Sequence, residues 1–404
     1  MEMNKIIRNE IYKFFKSRKN ILIIILLFAY LLGINYYNSK QYDIYMRDTA
    51  KFYEGKYKRA GSILASNQLM LEKFEDLSLQ KREELEREIK FYSGERLKLI
   101  LISSVYEEDN PKTYERIVST QNSRYRDIIK NIEENNIKEE FLNENNFTMD
   151  DLHKGIYINQ YILDNEIQPI INPYTMTGAN SLVRFLDGNN LIIIMIIIVL
   201  LSMDIYLSEV EEGSYKLSYT QPYKRNQIFF GKVVSIIIIS TILVVVGAIF
   251  NFAMVSIIHG VGNMNYPFVT TEAINKLAFN NQGQYMILSL VNYVIRGFIL
   301  LFPILLFTIV LTLGISIITD SSGKTLGFST MIIGLAFILK NFVSRHSIIN
   351  LIYPYSYLYI KDVIEVNNNS NYLLGIMLNS IMAIVLFVIS YKKFIHKDFL
   401  GSRE

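Results

Sequence analysis

The run LIIIMIIIVLLSMDIYL, Leu191 to Leu207, carries one charged side chain, Asp204, and the run VVSIIIISTILVVVGAIFNFAMVSII, Val233 to Ile258, carries none. Hydrocarbon cannot satisfy free backbone amides and carbonyls, and a helix needs roughly 20 apolar residues to cross about 30 Å of it. Both runs therefore read as membrane-spanning helices. Working outward, four more segments meet the same requirement: Ile21 to Tyr37, Gly297 to Ile318, Leu326 to Phe342 and Leu373 to Tyr391. Half of all residues (50%) are hydrophobic, and they gather into these runs instead of spreading along the chain, which is the segregation of a membrane protein. The expected fold is an all-α polytopic membrane protein with six transmembrane helices.

Residues 1–20 place Met3, Ile6, Ile7, Ile11, Phe14 and Phe15 at helical spacing, with cations on the other face, so they predict an amphipathic helix lying on the inner leaflet. Lys5, Arg8, Lys13, Lys16, Arg18 and Lys19 oppose only Glu2 and Glu10, and cationic flanks of a first span stay cytoplasmic. The bulky residues after that span offer no cleavage site, so residues 21–37 are expected to remain as an anchor. With six spans both termini are cytoplasmic, and the tail at 392–404 brings Lys392, Lys393, Lys397 and Arg403. Residues 38–188 hold 21 Lys plus Arg against 26 Asp plus Glu, a balance of −5 that leaves +8 for the rest of a chain of net +3. That asymmetry supports an extracellular segment at 38–188, followed by the remaining five spans within 189–404.

Within the segment, Leu69, Leu71, Phe74, Leu77, Leu85, Ile89, Leu97 and Ile100 recur among charged residues at helical intervals. Pro111 breaks the pattern, Tyr114 to Ile132 restarts it, and Thr148 with Asp151 forms a capping box that opens a helix running to about Ile167. An all-helical extracellular domain is expected, with the charge-rich stretch from Leu79 to Glu88 as a solvated face.

Few residues offer chemistry. Without cysteine there is neither a disulfide framework nor a thiolate metal site, and His153, His259, His346 and His396 include no pair at metal-ligand spacing. No nucleophile elbow, zinc-protease motif or dinucleotide loop occurs, which argues against a membrane enzyme. Ser322-Gly323-Lys324-Thr325 imitates the end of a phosphate-binding loop, but Ile318 stands where such a loop needs glycine, so these residues read as the tight turn between two spans. Arg296 and Asp204 are the charges nearest the hydrocarbon and so the candidates for an intramembrane or interfacial role. For Arg296 the simplest account is snorkelling at the outer interface; for Asp204 it is an ion pair with cations of the following loop. The bias toward Ile, Lys, Asn, Tyr and Phe, with no Trp, is what AT-rich codons give and points to a bacterial plasma membrane.

The loop at 208–232 reads Ser208-Glu209-Val210-Glu211-Glu212-Gly213-Ser214-Tyr215-Lys216-Leu217, then Thr220-Gln221-Pro222-Tyr223-Lys224-Arg225-Asn226-Gln227-Ile228 and Gly231-Lys232. This order resembles the permease subunits of type-2 ATP-binding-cassette transporters, whose loop after the second span shows an acidic residue before Gly-Thr, a Pro with a following Arg, and a Lys opening the third span. Ser214 replaces the usual Thr. The resemblance extends to the surface helix, the six spans and the short turn between spans four and five. It implies a non-catalytic membrane subunit of an exporter, with Glu209, Glu212, Gly213, Pro222, Arg225 and Lys232 in a loop that couples to separate cassette ATPases. It also implies a second permease copy or paralogue, ATP and Mg on the ATPase chains only, an amphipathic cargo such as a peptide, antibiotic or lipid, and no nucleic-acid partner. The alternative is a sensor or mechanical transmission protein, whose extracellular domain binds a ligand or envelope component.

Overall fold

The computed structural model describes residues 2–74, 78–214, 223–271, 285–343, 347–365 and 372–397. In chain order its helices are α1 Glu2–Lys16, α2 Arg18–Lys73, α3 Leu79–Glu108, α4 Tyr114–Glu133, α5 Glu140–Glu144, α6 Met149–Asp164, α7 Gly178–Phe185, α8 Gly188–Glu211, α9 Arg225–His259, α10 Leu290–Thr319, α11 Ser322–Phe342, α12 Ile348–Ile352, α13 Ile360–Ile364 and α14 Tyr372–His396. Among the described residues six of these, α2, α8, α9, α10, α11 and α14, are long and apolar enough to cross a membrane. Each contains one of the six segments read from the sequence, though α2 continues to Lys73, far beyond the expected end of its span at Tyr37. Leu77, Pro222, His346 and Arg403 lie outside the described residues, as do the loop residues from Tyr215 to Gln221.

The chain divides into two compact units: Met1–Ile34, Thr177–Gly262 and Val291–Glu404 form one, Asn35–Met176 and Asn263–Leu290 the other. Helix α2 contributes to both. It runs unbroken because residues 18–73 contain no proline and only three glycines.

In the first unit α8 is the central helix, with Leu191, Ile194, Met195, Ile198 and Leu201 all buried. A helix apolar on every side can be enclosed in this way. Helices α11 and α14 turn Phe328, Met331, Phe337, Leu373, Met377 and Ile384 outward, as hydrocarbon permits. Buried hydroxyls on α10 satisfy themselves locally: Thr308, Thr312 and Ser316 each donate to the carbonyl four residues back at 2.8 Å. Between α11 and α14 the chain forms α12, a 3-10 helix at Pro354–Leu358, and α13. The segment is exposed at Ile348, Ile349 and Ile352 of α12 but turns inward from Pro354. Tyr355 and Tyr357 are fully buried, and the Tyr355 hydroxyl meets Thr308 Oγ1 at 3.1 Å.

The second unit is helical with one addition to the sequence reading, an antiparallel ribbon of β1 Pro267–Thr271 and β2 Tyr285–Ser289 that pairs Pro267 with Ser289 and Val269 with Ile287. The ribbon brings Tyr266 against Val118, Ile162 and Ile167. A larger cluster joins Met46 and Ala50 of α2 to Ile102, Val105 and Tyr106 of α3 and Tyr114 and Ile117 of α4. A third gathers Phe91, Ile128, Phe141, Leu142 and Leu152. The capping box at Thr148 and Asp151 is formed, and α6 ends at Asp164, three residues before the expected Ile167. Leu85 is buried as expected, but Leu69, Phe74 and Leu97 are exposed. The inward face of α3 runs through Leu85, Phe91, Glu95, Leu99 and Ile102. Leu97 sits two positions from Glu95 and Leu99, and at about 100° per residue that is the far side. Glu95 belongs to the core because buried Arg124 holds it at 2.6 Å, and the attraction more than offsets the burial that would otherwise lower the Arg124 pKa. From Leu79 to Glu88, Leu85 is the one buried residue, so the charged stretch is solvated.

Candidate functional site

All the loop-flanking residues that are described belong to the first unit, and two of them, Glu209 and Lys232, lie where α1, α8 and α9 meet. Four charges of alternating sign form the centre. Lys13 of α1 reaches Glu10 at 3.2 Å and Glu209 at 2.9 Å, while Lys232 of α9 reaches the same two carboxylates at 3.2 and 3.0 Å. Lys232 also donates to the Ile205 carbonyl at 2.8 Å, so its three N–H groups all find acceptors. Glu10 and Lys232 are buried, at 6% and 3% exposure. Two cations and two anions at these distances neutralise one another, the condition on which charges are tolerated away from water. Partial burial lowers the Lys13 pKa, but Glu10 and Glu209 outweigh it, and the net shift is upward. The contribution of a raised cation is intact below its unfolded pKa, the ordinary lysine value, and is lost only as pH rises through its folded one. Lys13 therefore keeps its charge at neutral pH.

Backbone proximity makes this possible. A Cβ on Gly231 would lie 2.5 Å from Ile6 Cγ2, so glycine lets α1 press against α9, where Ser235 Oγ donates to the Ile7 carbonyl at 3.3 Å. Next to the quartet, Asp204 is 6% exposed and pairs with Lys19 at 2.5 Å. An ion pair was expected, but the cation comes from the start of α2 and not from the loop. Lys19 stands one residue inside α2, where its side chain can reach the base of α8, whereas Lys232 is already committed to Glu10 and Glu209.

The loop's two ends differ. Helix α8 stops at Gly213, whose φ of +71° is open to glycine at little cost, while Glu212 is exposed with no side-chain partner among the described residues. Arg225 opens α9 and donates to the carbonyls of Ile395 and Lys397 at 2.8 and 3.1 Å, capping the end of α14. Lys397 in turn pairs with Asp320 in the turn between α10 and α11, and the Tyr206 hydroxyl donates to the same carboxylate at 3.3 Å. Glu211 caps α11 by accepting from the Ser322 amide at 3.2 Å and its hydroxyl at 2.5 Å. The helix N-terminus in Ser322-Gly323-Lys324-Thr325 thus already holds a carboxylate, in keeping with its reading as a turn.

The structure brings Glu209, Lys232 and Asp204 into one charged base, places Gly213, Glu212 and Arg225 at the exits of the loop, and leaves Arg296 apart. Arg296 is exposed on α10, and its carbonyl accepts from Tyr372 at 3.1 Å. Twenty-three residues separate it from Thr319, roughly 35 Å of helix. Sequence reasoning missed Glu10, Lys13, Lys19, Glu211, Asp320 and Lys397 as partners. Glu10 was the one visible hint, a lone carboxylate amid the cations of α1. Among the described residues no group of acidic or histidine side chains could hold a metal ion.

A family model described as ABC-2 family transporter protein matches residues 4–398. No curated protein and no solved structure matches the chain.

Proposed function

The chain belongs to the ABC-2 family of transporter proteins, and from that premise we propose that this multi-pass membrane permease subunit works in an ATP-driven exporter, in which separate cassette ATPases move the loop between α8 and α9. The observation that carries this reading is the charged base. A force applied to the loop enters α8 at Gly213 and α9 at Arg225. A few residues further in, Glu209 and Lys232 tie those helices to each other and, through Glu10 and Lys13, to α1. Arg225 passes the same displacement to α14. The exposed carboxylate of Glu212 is then the group offered to the ATPase, ATP and Mg reside on that partner, and the spans rearrange around a path shared with a second permease copy or paralogue. Both termini are cytoplasmic and residues 38–188 extracellular in this scheme, in a bacterial plasma membrane. An amphipathic cargo suits helices lined with Ile, Phe and Tyr.

The test is efflux from vesicles reconstituted with the complex purified from its native membrane, loaded with fluorescent amphipathic peptides or labelled lipids. ATP-dependent movement that is lost in Glu212→Lys supports export. ATP hydrolysis with no cargo movement would favour mechanical or sensory work, and full transport by this chain with no ATPase present would contradict the proposal.

A further inference from the structure

Between α2, α3 and α5 of the second unit lies a cavity of about 190 Å³, well beyond the volume of a single water. Phe52, Tyr92 and Phe141 supply aromatic walls over a floor of Leu99 and Ala60, and Lys56, Arg59, Glu95 and Glu144 bring charge to the same space. Most of that charge is already answered. Glu95 is held by Arg124 at 2.6 Å, and Glu144 by Arg59 at 2.8 Å. Lys56 is different: it donates to the neutral Asn145 Oδ1 at 2.6 Å and lies 4.9 Å from the centre of the Phe52 ring, with no carboxylate at ion-pair distance among the described residues. An ammonium has three donors, and Asn145 takes one.

We infer that this cavity binds a small amphipathic monoanion, its carboxylate on the unspent donors of Lys56 and its apolar body against Phe52, Tyr92 and Phe141. Pockets of this kind take most of their affinity from apolar walls and their selectivity from a few placed polar groups. A single negative charge matches the single unanswered cation, whereas the second charge of a dianion would find no unpaired cation in the lining. The volume limits the body to one ring or a short chain. This site goes beyond the export reading and does not depend on it, since every group involved lies in the second unit.

Calorimetric titration of the full chain in lipid nanodiscs, with empty discs subtracted, tests it using 3-phenylpropionate, its neutral amide and phenyl phosphate. The acid should bind at least tenfold more tightly than the amide or the dianion. Lys56→Gln should weaken the acid about tenfold and leave the amide unchanged. Lys58→Gln, an exposed neighbour on α2 that pairs with Glu54, should change neither. Lys56 is half-buried at a rim, so its neutral variant is expected to melt with the wild type, which a thermal scan checks. No heat above empty discs, equal affinity for acid and amide, tighter binding of phenyl phosphate, or an unaffected Lys56→Gln would each overturn the inference.

Discussion

Lys232 serves two carboxylates at 3.2 and 3.0 Å while 3% exposed, so its removal would leave Glu10 and Glu209 sharing only Lys13. Breaking a buried pair by deleting one partner costs about 3–5 kcal/mol, most of it from the stranded charge. Lys232→Met should therefore lower the thermal unfolding midpoint of the purified protein sharply. Adding Glu209→Gln restores a balanced Glu10–Lys13 pair and should recover at least half of the loss, the coupling that a double-mutant cycle detects. A single variant that melts with the wild type would show that the quartet does not hold the helices. The sequence singles out Glu209 and Lys232 only as loop residues expected to couple to an ATPase. Their ion pairing was not legible, since Glu10 and Lys232 meet across 222 positions and local periodicity carries no information at that range.

Helix by helix, what the sequence disclosed depended on whether a local rule set the outcome. The six spans follow from hydrocarbon length, and the start of α6 from a capping box, so both could be read directly. The buried face of α3 could not, because its seam passes through Glu95, a residue that apolar spacing excludes. The ribbon at β1 and β2 was missed for a related reason: its inner residues, such as Val269 at 1% exposure, are fixed by packing on α6 and not by a long alternating run. The contact of α1 with α9 rests on Gly231, and it makes a prediction at this scale. Gly231→Val would drive a side chain into Ile6, and small-to-large changes at a packed contact cost roughly 1–3 kcal/mol. Trypsin should then cut α1 after Lys5, Arg8 or Lys13 at least several-fold faster than in the wild type. Unchanged cleavage would mean that α1 does not depend on this approach to stay docked.

For the whole molecule, a chain with no native cysteine makes topology directly measurable. Ser62→Cys on α2 and Asn226→Cys on α9 are both at exposed positions. The cation excess of the loops predicts that an impermeant maleimide labels Ser62→Cys on intact cells and Asn226→Cys only after lysis. Reversed labelling would overturn the orientation and with it the side on which an ATPase could dock. Entry of force through the loop between α8 and α9 depends on Glu212 facing a partner. A like-charge contact at an interface can cost several kcal/mol, so reversing Glu212 should displace the ATPase while the ion pairs of the base, made by other residues, stay formed. Glu86 offers the matched control, an exposed carboxylate on α3 in the second unit. The most direct measurement is ATP hydrolysis by the complex captured from its native membrane through a tag on this chain, compared for wild type, Glu212→Lys and Glu86→Lys. Hydrolysis should be retained in Glu86→Lys and lost together with the ATPase subunit in Glu212→Lys; equal activity and equal capture in all three would contradict the account.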